Sequence, residues 1–471
     1  MSRYFPYSPE QAYLLPPNVA EELGSDHLCF FVRQVVRRLD MSVFEKSYGP
    51  EGGMLYAPEL MLSVWLYGYA TGMTSARRLS QRLGEDLALR YLAGGARVDN
   101  WALSAFRRRH AMALNSAFTQ VLEMARSLGL GKLGRVAIDS TRIKANASRD
   151  RVDSEQRLRH ERAKLRRNVR RWQQACDQDD SEPGGLKVAI QEAERKLAEL
   201  PGRLERLRKS GLKKQSRTDQ DARFLRSRRG FELGYTGEIA MSEDHLIVAQ
   251  RVGQQPTDNA SLEPMVEKVK LECGSPPGQV LVDSGYFSLQ NLQWLEQQNI
   301  DAYLPDSNMA REMNLGKKCR GRARKPVHRR MRQKLRSPQG RQAYAQRKAI
   351  VELGFGVLKE QRGMRQFRTR GKEKVAIEFT LATLAYNLTR MYSLTTQHPA
   401  ATNISLCWLF LCLALTALEN LEDGKTYPAA KAGYSSAIYG TAEAVPFRAS
   451  SHADSKARFF SAIYGPTKVV P

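Results

Sequence analysis

The chain has 471 residues, and 74 Lys and Arg against 49 Asp and Glu leave a formal charge of +25. Hydrophobic residues make up 42%, enough for sizeable cores, which excludes a wholly disordered chain. At roughly 150 residues per domain two or three domains are expected, and the charge surplus calls for a polyanionic partner, nucleic acid or an anionic membrane. Cys29, Cys176, Cys273, Cys319, Cys407 and Cys412 form no CxxC pair, which argues against a disulfide scaffold or a zinc site and suits a reducing compartment. The opening MSRYFPYSPEQAYLLPP lacks the basic start and apolar core of a signal peptide. The apolar run ISLCWLFLCLALTAL, near 404–418, is shorter than the ~20 residues a membrane span needs. A cytoplasmic location is expected.

Residues 1–130 read as a helical domain. APELMLSVWLYGYATG, TSARRLSQRL, EDLALRYLAGG and VDNWALSAFRRRHAMALNSAFTQVLEMARSLG carry apolar residues at helical spacing between glycine-bearing turns, with Ser75 and Asp99 as caps. Arg77, Arg78, Arg82, Arg107, Arg108 and Arg109 on short helices suit a helix-turn-helix-like DNA reader; a bundle with a solvated basic face fits the same pattern. GRVAIDSTRIKANAS then opens with a β-branched run that reads as a buried strand ending at Asp139. Residues 149–217 are dense in charge and predict a two-helix hairpin about Pro183, Gly184 and Gly185. Its packing seam would be Leu158, Leu165, Val169, Trp172, Val188, Ala193, Leu197 and Leu200. Strands at 231–240 and 245–252 form a hairpin through Ser242, Glu243 and Asp244. A helix (SLEPMVEKVKLE), a strand (QVLVDSG), a helix (SLQNLQWLEQQN) and a strand (DAYLP) follow. Residues 311–336 read as a basic loop with Glu312 as its single acid, suited to phosphate contact. A long amphipathic helical region spans about 340–391. The tail, 395–471, is rich in Ala, Ser, Gly and Tyr and repeats SAIYG at 436–440 and 461–465.

Two carboxylates end apolar runs, Asp139 in VAIDST and Asp283 in VLVDSG. Each alone reads equally as a turn cap. Together they suggest two strands meeting at a site where a divalent ion, which prefers oxygen ligands, relieves their repulsion. Glu352, on a helix whose other exposed groups are mostly basic, is a candidate third ligand, although a helical glutamate is ordinarily a surface charge. Glu360 and Asp258 are the nearest alternatives.

The segments VAIDSTRIKANAS, TDQDARFLRSRRGFELGYTGEIA, QVLVDSGYFS and RKAIVELGFGVLKEQRGMRQFRTRG, followed by LATLAYNLTRM, resemble bacterial insertion-sequence transposases of the DDE type, in the IS4-like/IS5-like group. LLPP, LYGYATGMTSARRLSQRL and SAFRRRH resemble the helical domain that precedes the catalytic domain there. The resemblance covers about residues 1–392. It implies an α/β, ribonuclease-H-like catalytic domain over 131–394, with the charged helical insertion inside it. Asp139, Asp283 and Glu352 would be the catalytic, metal-binding set, holding two Mg2+ ions, with Mn2+ as their substitute. The family's Tyr-Arg-Glu-Lys signature falls on Tyr344, Arg347, Glu352 and Lys359. Lys359 lies about two helical turns beyond Glu352 and is expected on the same face. Arg347 is five residues before Glu352 and Lys348 four, so either could sit over the DNA. With Arg107, Arg108, Arg320, Arg322 and Arg324 these basic residues are the expected DNA contacts. The implied activity is binding of terminal inverted repeats, cleavage and strand transfer by at least a homodimer on double-stranded DNA. A degenerate copy that only binds DNA, or a nuclease that does not join, are the alternatives.

Overall fold

The computed structural model describes residues 18–48, 55–178, 184–227, 230–316, 323 and 325–397. Arg320, Arg322, Arg324 and the tail with its apolar run and SAIYG repeats lie outside the described residues.

The first part of the chain is helical: α1 (Leu28–Arg37), α2 (Ser42–Glu45), α3 (Pro58–Ala70), α4 (Ala76–Arg82), α5 (Leu87–Leu92), α6 (Asn100–Arg109) and α7 (Ala111–Ser127). Proline opens α3, and Met61 through Tyr69 are all buried. A helix apolar on every side must lie inside the bundle rather than on its surface. Asp99 caps α6, accepting the Ala102 N–H at 2.7 Å, whereas Ser75 stands at the start of α4 without a side-chain bond.

The sheet is built from β1 (Arg135–Lys144), β4 (Arg223–Ser227), β5 (Gly230–Ser242), β6 (Ile247–Gly253), β7 (Gln279–Leu281) and β8 (Asp301–Tyr303). The short pair β2 (Val152–Asp153) and β3 (Gln215–Ser216) stands apart from it. Across the main sheet the order is β6, β5, β1, β7, β8. Strand β5 is antiparallel to both its neighbours, β6 and β1, and β7 and β8 run parallel to β1. This mixed five-strand order is the ribonuclease-H-like arrangement, with β4 added as a hairpin on the first half of β5. Helices α10 (Leu262–Cys273) and α11 (Leu289–Gln297) carry the chain between β6, β7 and β8, as parallel neighbours require a crossover.

The charged insertion is the expected hairpin, α8 (Glu155–Gln178) against α9 (Gly184–Ser210). Leu158, Leu200 and Leu207 form its own small apolar cluster, with Leu165 and Leu197 packed against it. Val188 is exposed, contrary to the expected seam. At its root Arg203 donates to Asp153 at 2.6 Å and to Glu161 at 3.0 Å.

The final helices are α12 (Ser307–Leu315), α13 (Pro326–Arg336), α14 (Pro338–Gly356) and α15 (Lys372–Gln397). Helix α15 packs on α3, α7 and β6, so the N-terminal helices and the sheet share one core running from Cys29 to Met391. Its Asn387 amide takes both the N–H and the C=O of Ile247 on β6, at 2.9 and 2.8 Å, satisfying backbone groups of a strand at the end of the sheet.

The basic stretch 311–336 is not a free loop where it is described. Its second half is α13, and three of its cations are paired with acids from outside the run: Arg330 with Glu296 at 2.9 Å, Arg332 with Asp306 at 2.6 Å, and Lys334 with Asp301. Within the run, Arg336 pairs with Glu312 at 2.8 Å. Asp306 also caps α12 and accepts from His328 at 2.7 Å. Burial pushes the Asp306 carboxyl up, but Arg332, His328 and the Met309 N–H outweigh it and hold the group well below the usual carboxylate range. A depressed carboxylate stabilises the fold above its unfolded value and loses that contribution as pH falls through its folded value. Asp306→Asn, which leaves Arg332 buried without that counter-charge, should cost about 3 kcal/mol at pH 7 in urea unfolding, the gap shrinking below about pH 4. An unchanged midpoint would show that α13 docks without this pair.

Candidate active site

The site grows from strand register. Strands β1 and β7 pair in parallel as Arg135 with Gln279, Val136 with Val280 and Ala137 with Leu281. Two residues past the last pair stand Asp139 and Asp283. Side chains alternate along a strand, so the two carboxylates, at matching positions along neighbouring parallel segments, leave on the same side. Asp139 is not the end of its strand as the apolar run suggests, because pairing with β5 carries β1 on to Lys144, whereas Asp283 lies just past the end of β7. Asp283 caps the short turn Ser284–Tyr286, accepting the Gly285 N–H at 2.8 Å. Asp139 accepts the Ser140 N–H at 2.7 Å, and its other oxygen receives Arg347 Nη1 at 3.0 Å.

Arg347 reaches this spot because α14 lays Gly340, Ala343, Arg347, Ile350, Val351 and Gly354 against the fold. Close approach depends on Gly354: a Cβ there would come within 2.4 Å of Met241 Sδ on β5. Burial pushes the Asp139 carboxyl up to about 6; Arg347 opposes the rise and the Asp283 charge adds to it. Two partly buried carboxylates that repel each other are the oxygen-donor type a hard divalent cation prefers.

A second layer of acids lies beside the pair. Asp258 accepts from Ser140 Oγ at 2.8 Å and from Arg142 at 3.1 Å. A Cβ on Gly285 would sit 3.0 Å from Asp283 Oδ1 and 3.3 Å from Asp258 Oδ2, so both acids converge on that glycine. Glu238, opposite Ser140 in the β1–β5 register, is fully buried and bonded to Ser261 Oγ at 2.8 Å. Burial, ahead of the influence of Arg251, raises its carboxyl. Sequence reading passed over Glu238 and Arg142; the signal was a lone acid in the apolar strand GYTGEIAM.

Glu352 is exposed on α14, off the face that carries Arg347, Ile350 and Val351. Among the described residues no group of three or more His, Cys, Asp or Glu side chains is gathered tightly enough to hold a metal ion. The fold thus brings Asp139 and Asp283 together and leaves Glu352 apart from them. Lys359 was expected in helical phase with Glu352, but a π-turn over Val357–Gln361 interrupts the α-helix. Its wider winding shifts that phase. Lys359 is half-buried, and burial lowers its ammonium pKa while Glu232 opposes the shift. Tyr344 is partly buried, with the Arg347 guanidinium 6.0 Å from its ring centre. Lys348 points to solvent beside Arg347.

Arg107 does not face a DNA groove. It is buried, donates to the Tyr69 hydroxyl at 2.9 Å and lies 4.6 Å from the Trp65 ring centre. Arg108 is exposed, as are Arg77, Arg78 and Arg82.

Residues 131–388 match the transposase DDE domain family, and residues 18–109 match a second transposase domain family, DUF772. The first match spans more than half of the chain, which therefore belongs to the DDE transposases. No curated protein and no solved structure matches it. Membership is compatible with the IS4-like/IS5-like group. Members of this family act on DNA and generally depend on divalent metal. Among the described residues no helix is long and apolar enough to cross a membrane.

The Arg347–Asp139 pair predicts a pH signature. Because the folded Asp139 carboxyl titrates above its unfolded value, the fold holds an extra proton up to about pH 6, and stability declines as pH rises through that value. Arg347→Met removes the opposing cation and should cost more stability at pH 8 than at pH 5 in urea unfolding. Equal losses at both would mean that Arg347 does not act through the Asp139 charge.

Proposed function

We propose that this transposase binds the terminal inverted repeats of an insertion sequence, cuts the DNA at those ends and joins the freed ends to a target. The observation that carries the reading is the parallel β1–β7 register, from which Asp139 and Asp283 follow at matching positions, each two residues past the last pair. Asp139 and Asp283 would hold the metal, and Glu352 is the candidate third ligand. Held there, two Mg2+ ions, or Mn2+ in their place, would supply the Lewis acidity for activating water and offsetting charge at phosphorus.

The remaining steps belong to the chain. Arg347, now on Asp139, would turn to a phosphate oxygen when the metal arrives, and Lys348 stands ready on its solvent side. Tyr344 backs the Arg347 guanidinium, and Lys359 supplies a second cation beside the strand face carrying Arg142. Arg77, Arg78, Arg82 and Arg108 would contact DNA from the short helices α4 and α6, and Arg320, Arg322 and Arg324 would add phosphate contacts. Cutting two ends together calls for a homodimer on double-stranded DNA, in the bacterial cytoplasm. A protein that binds repeats without cutting would not need three acids at positions 139, 283 and 352, all present here.

Asp139→Ala, Asp283→Ala and Glu352→Ala should each abolish cleavage and joining of end-bearing duplexes in Mg2+ or Mn2+, with binding retained or tightened, because removing a carboxylate lowers its repulsion of phosphate. Wild-type cutting by any one of them would remove that residue from the metal set. Combined Arg77→Gln, Arg78→Gln and Arg108→Gln in the full chain should weaken end binding and flatten its salt dependence. The slope should drop by about 0.9 for each lost phosphate contact. Unchanged slope and affinity would place end recognition elsewhere.

A further inference from the structure

Tyr286 is the fully buried tyrosine that follows the Asp283 turn. Its backbone is pinned: the N–H donates to Asp283 O at 3.3 Å and the C=O accepts from Asn291 Nδ2 at 2.7 Å. Its hydroxyl has no hydrogen-bond partner among the described residues. Burial and then the charges of Asp139, Asp258, Glu238 and Asp283 push the phenol well above its ordinary value, so the proton stays on the oxygen. Asp139 accepts from Arg347 and the Ser140 N–H, Asp258 from Arg142 and Ser140, and Asp283 from the Gly285 N–H; Glu238 accepts from Ser261 on one oxygen, and its other buried oxygen, like the Tyr286 hydroxyl, has no hydrogen-bond partner among the described residues. A buried O–H donor without an acceptor is a cost that folding alone would remove by placing phenylalanine there. The donor belongs to the residue that closes the Asp283 turn, and Asp283 and Asp139, whose charges it feels, are the two acids the proposed function assigns to the metal.

We propose that the Tyr286 hydroxyl is a positioning group of this site, donating its hydrogen bond to an oxygen held there when a cation is bound, a metal-bound water or a phosphate oxygen. The inference rests on the reading of Asp139 and Asp283 as cation ligands. A neutral donor suits the task. It adds no charge to repel the cation, and its ring, packed without exposure, fixes the oxygen's direction. Outer-shell hydrogen bonds of this kind orient metal-bound groups, and their loss typically costs about 10–100-fold in metal affinity or activity.

The test is Tyr286→Phe, which deletes one oxygen and keeps the ring, in the full chain. Three measurements are made: Mn2+ affinity by the loss of the free-ion EPR signal, thermal melting, and cleavage of end-bearing DNA. Tyr286→Phe should bind Mn2+ at least tenfold more weakly than wild type, or cut at least tenfold more slowly with Mn2+ saturating, while melting at the same or a higher temperature. Wild-type Mn2+ affinity together with a wild-type rate would overturn the proposal. So would a fall in melting temperature that accounts for the loss of binding. Asp139→Ala separates the two levels of the argument: if it too binds Mn2+ as wild type does, the cation reading has failed and the Tyr286 proposal falls with it. If it loses Mn2+ while Tyr286→Phe behaves as wild type, the Tyr286 proposal alone has failed.

Discussion

The contact on which this structure turns is the ion pair between Arg347 and Asp139. It joins α14 to β1 across the crevice, at 3.0 Å and largely out of water. A carboxylate in that position cannot stay charged without a cation beside it, and in the free chain the cation is a guanidinium. The same arrangement recurs one layer away, where Arg142 neutralises Asp258 and Arg251 stands 3.8 Å from Glu238. Asp139, Asp258 and Glu238 therefore each face an arginine, while Asp283 is held by the Gly285 N–H. If Asp139 holds a metal as proposed, Arg347 would give up that carboxylate, and a phosphate oxygen would be a suitable acceptor for it. Metal and substrate binding would then be linked through a single side chain.

The second constraint is the shared core. Helix α15 is packed on α3 and α7 on one side and on β6 on the other, so the short arginine-bearing helices are not an appendage. A fragment cut after residue 130 would leave the buried faces of α3 and α7 without α15. The arginines of α4 and α6 are thus built on the same core as the strands that carry Asp139 and Asp283. The charged hairpin differs: α8 and α9 bury Leu158, Leu200 and Leu207 against each other in a cluster of their own, while Arg203 locks the root to Asp153 and Glu161.

Much of this was legible in the sequence, and the places where reading failed share physical causes. Alternating and β-branched runs placed β1, β5, β6, β7 and β8, and the aspartates closing two apolar runs marked the crevice, because a buried strand writes its period into the chain; its end is less legible, since the apolar run stops at Asp139 while pairing with β5 carries β1 to Lys144. Pairing across long separations does not. The cations of α13 read as free because Glu296, Asp301 and Asp306 lie before the run, which no local window relates to it. Three consecutive arginines read as one basic patch, but a helix turns about 100° per residue, so Arg107 shares the face of Leu103 and Phe106 while Arg108 stays outside. Counting seven residues from Glu352 to Lys359 assumed an unbroken α-helix, and the π-turn voids that count. Glu238 was hidden by its apolar surroundings, the same surroundings that make it chemically unusual.

The central claim is that Asp139 and Asp283 seat a divalent cation on which the chemistry depends. The most direct measurement replaces that cation with Fe2+ and generates hydroxyl radicals at the bound metal, so that the polypeptide is cut wherever the ion sits. The account predicts fragments ending near residues 139 and 283 in the full chain, suppressed by excess Mg2+ and absent from Asp139→Ala, with a further cut near residue 352 when end-bearing DNA is present. Cutting confined to other segments, or cutting that Asp139→Ala leaves unchanged, would contradict it.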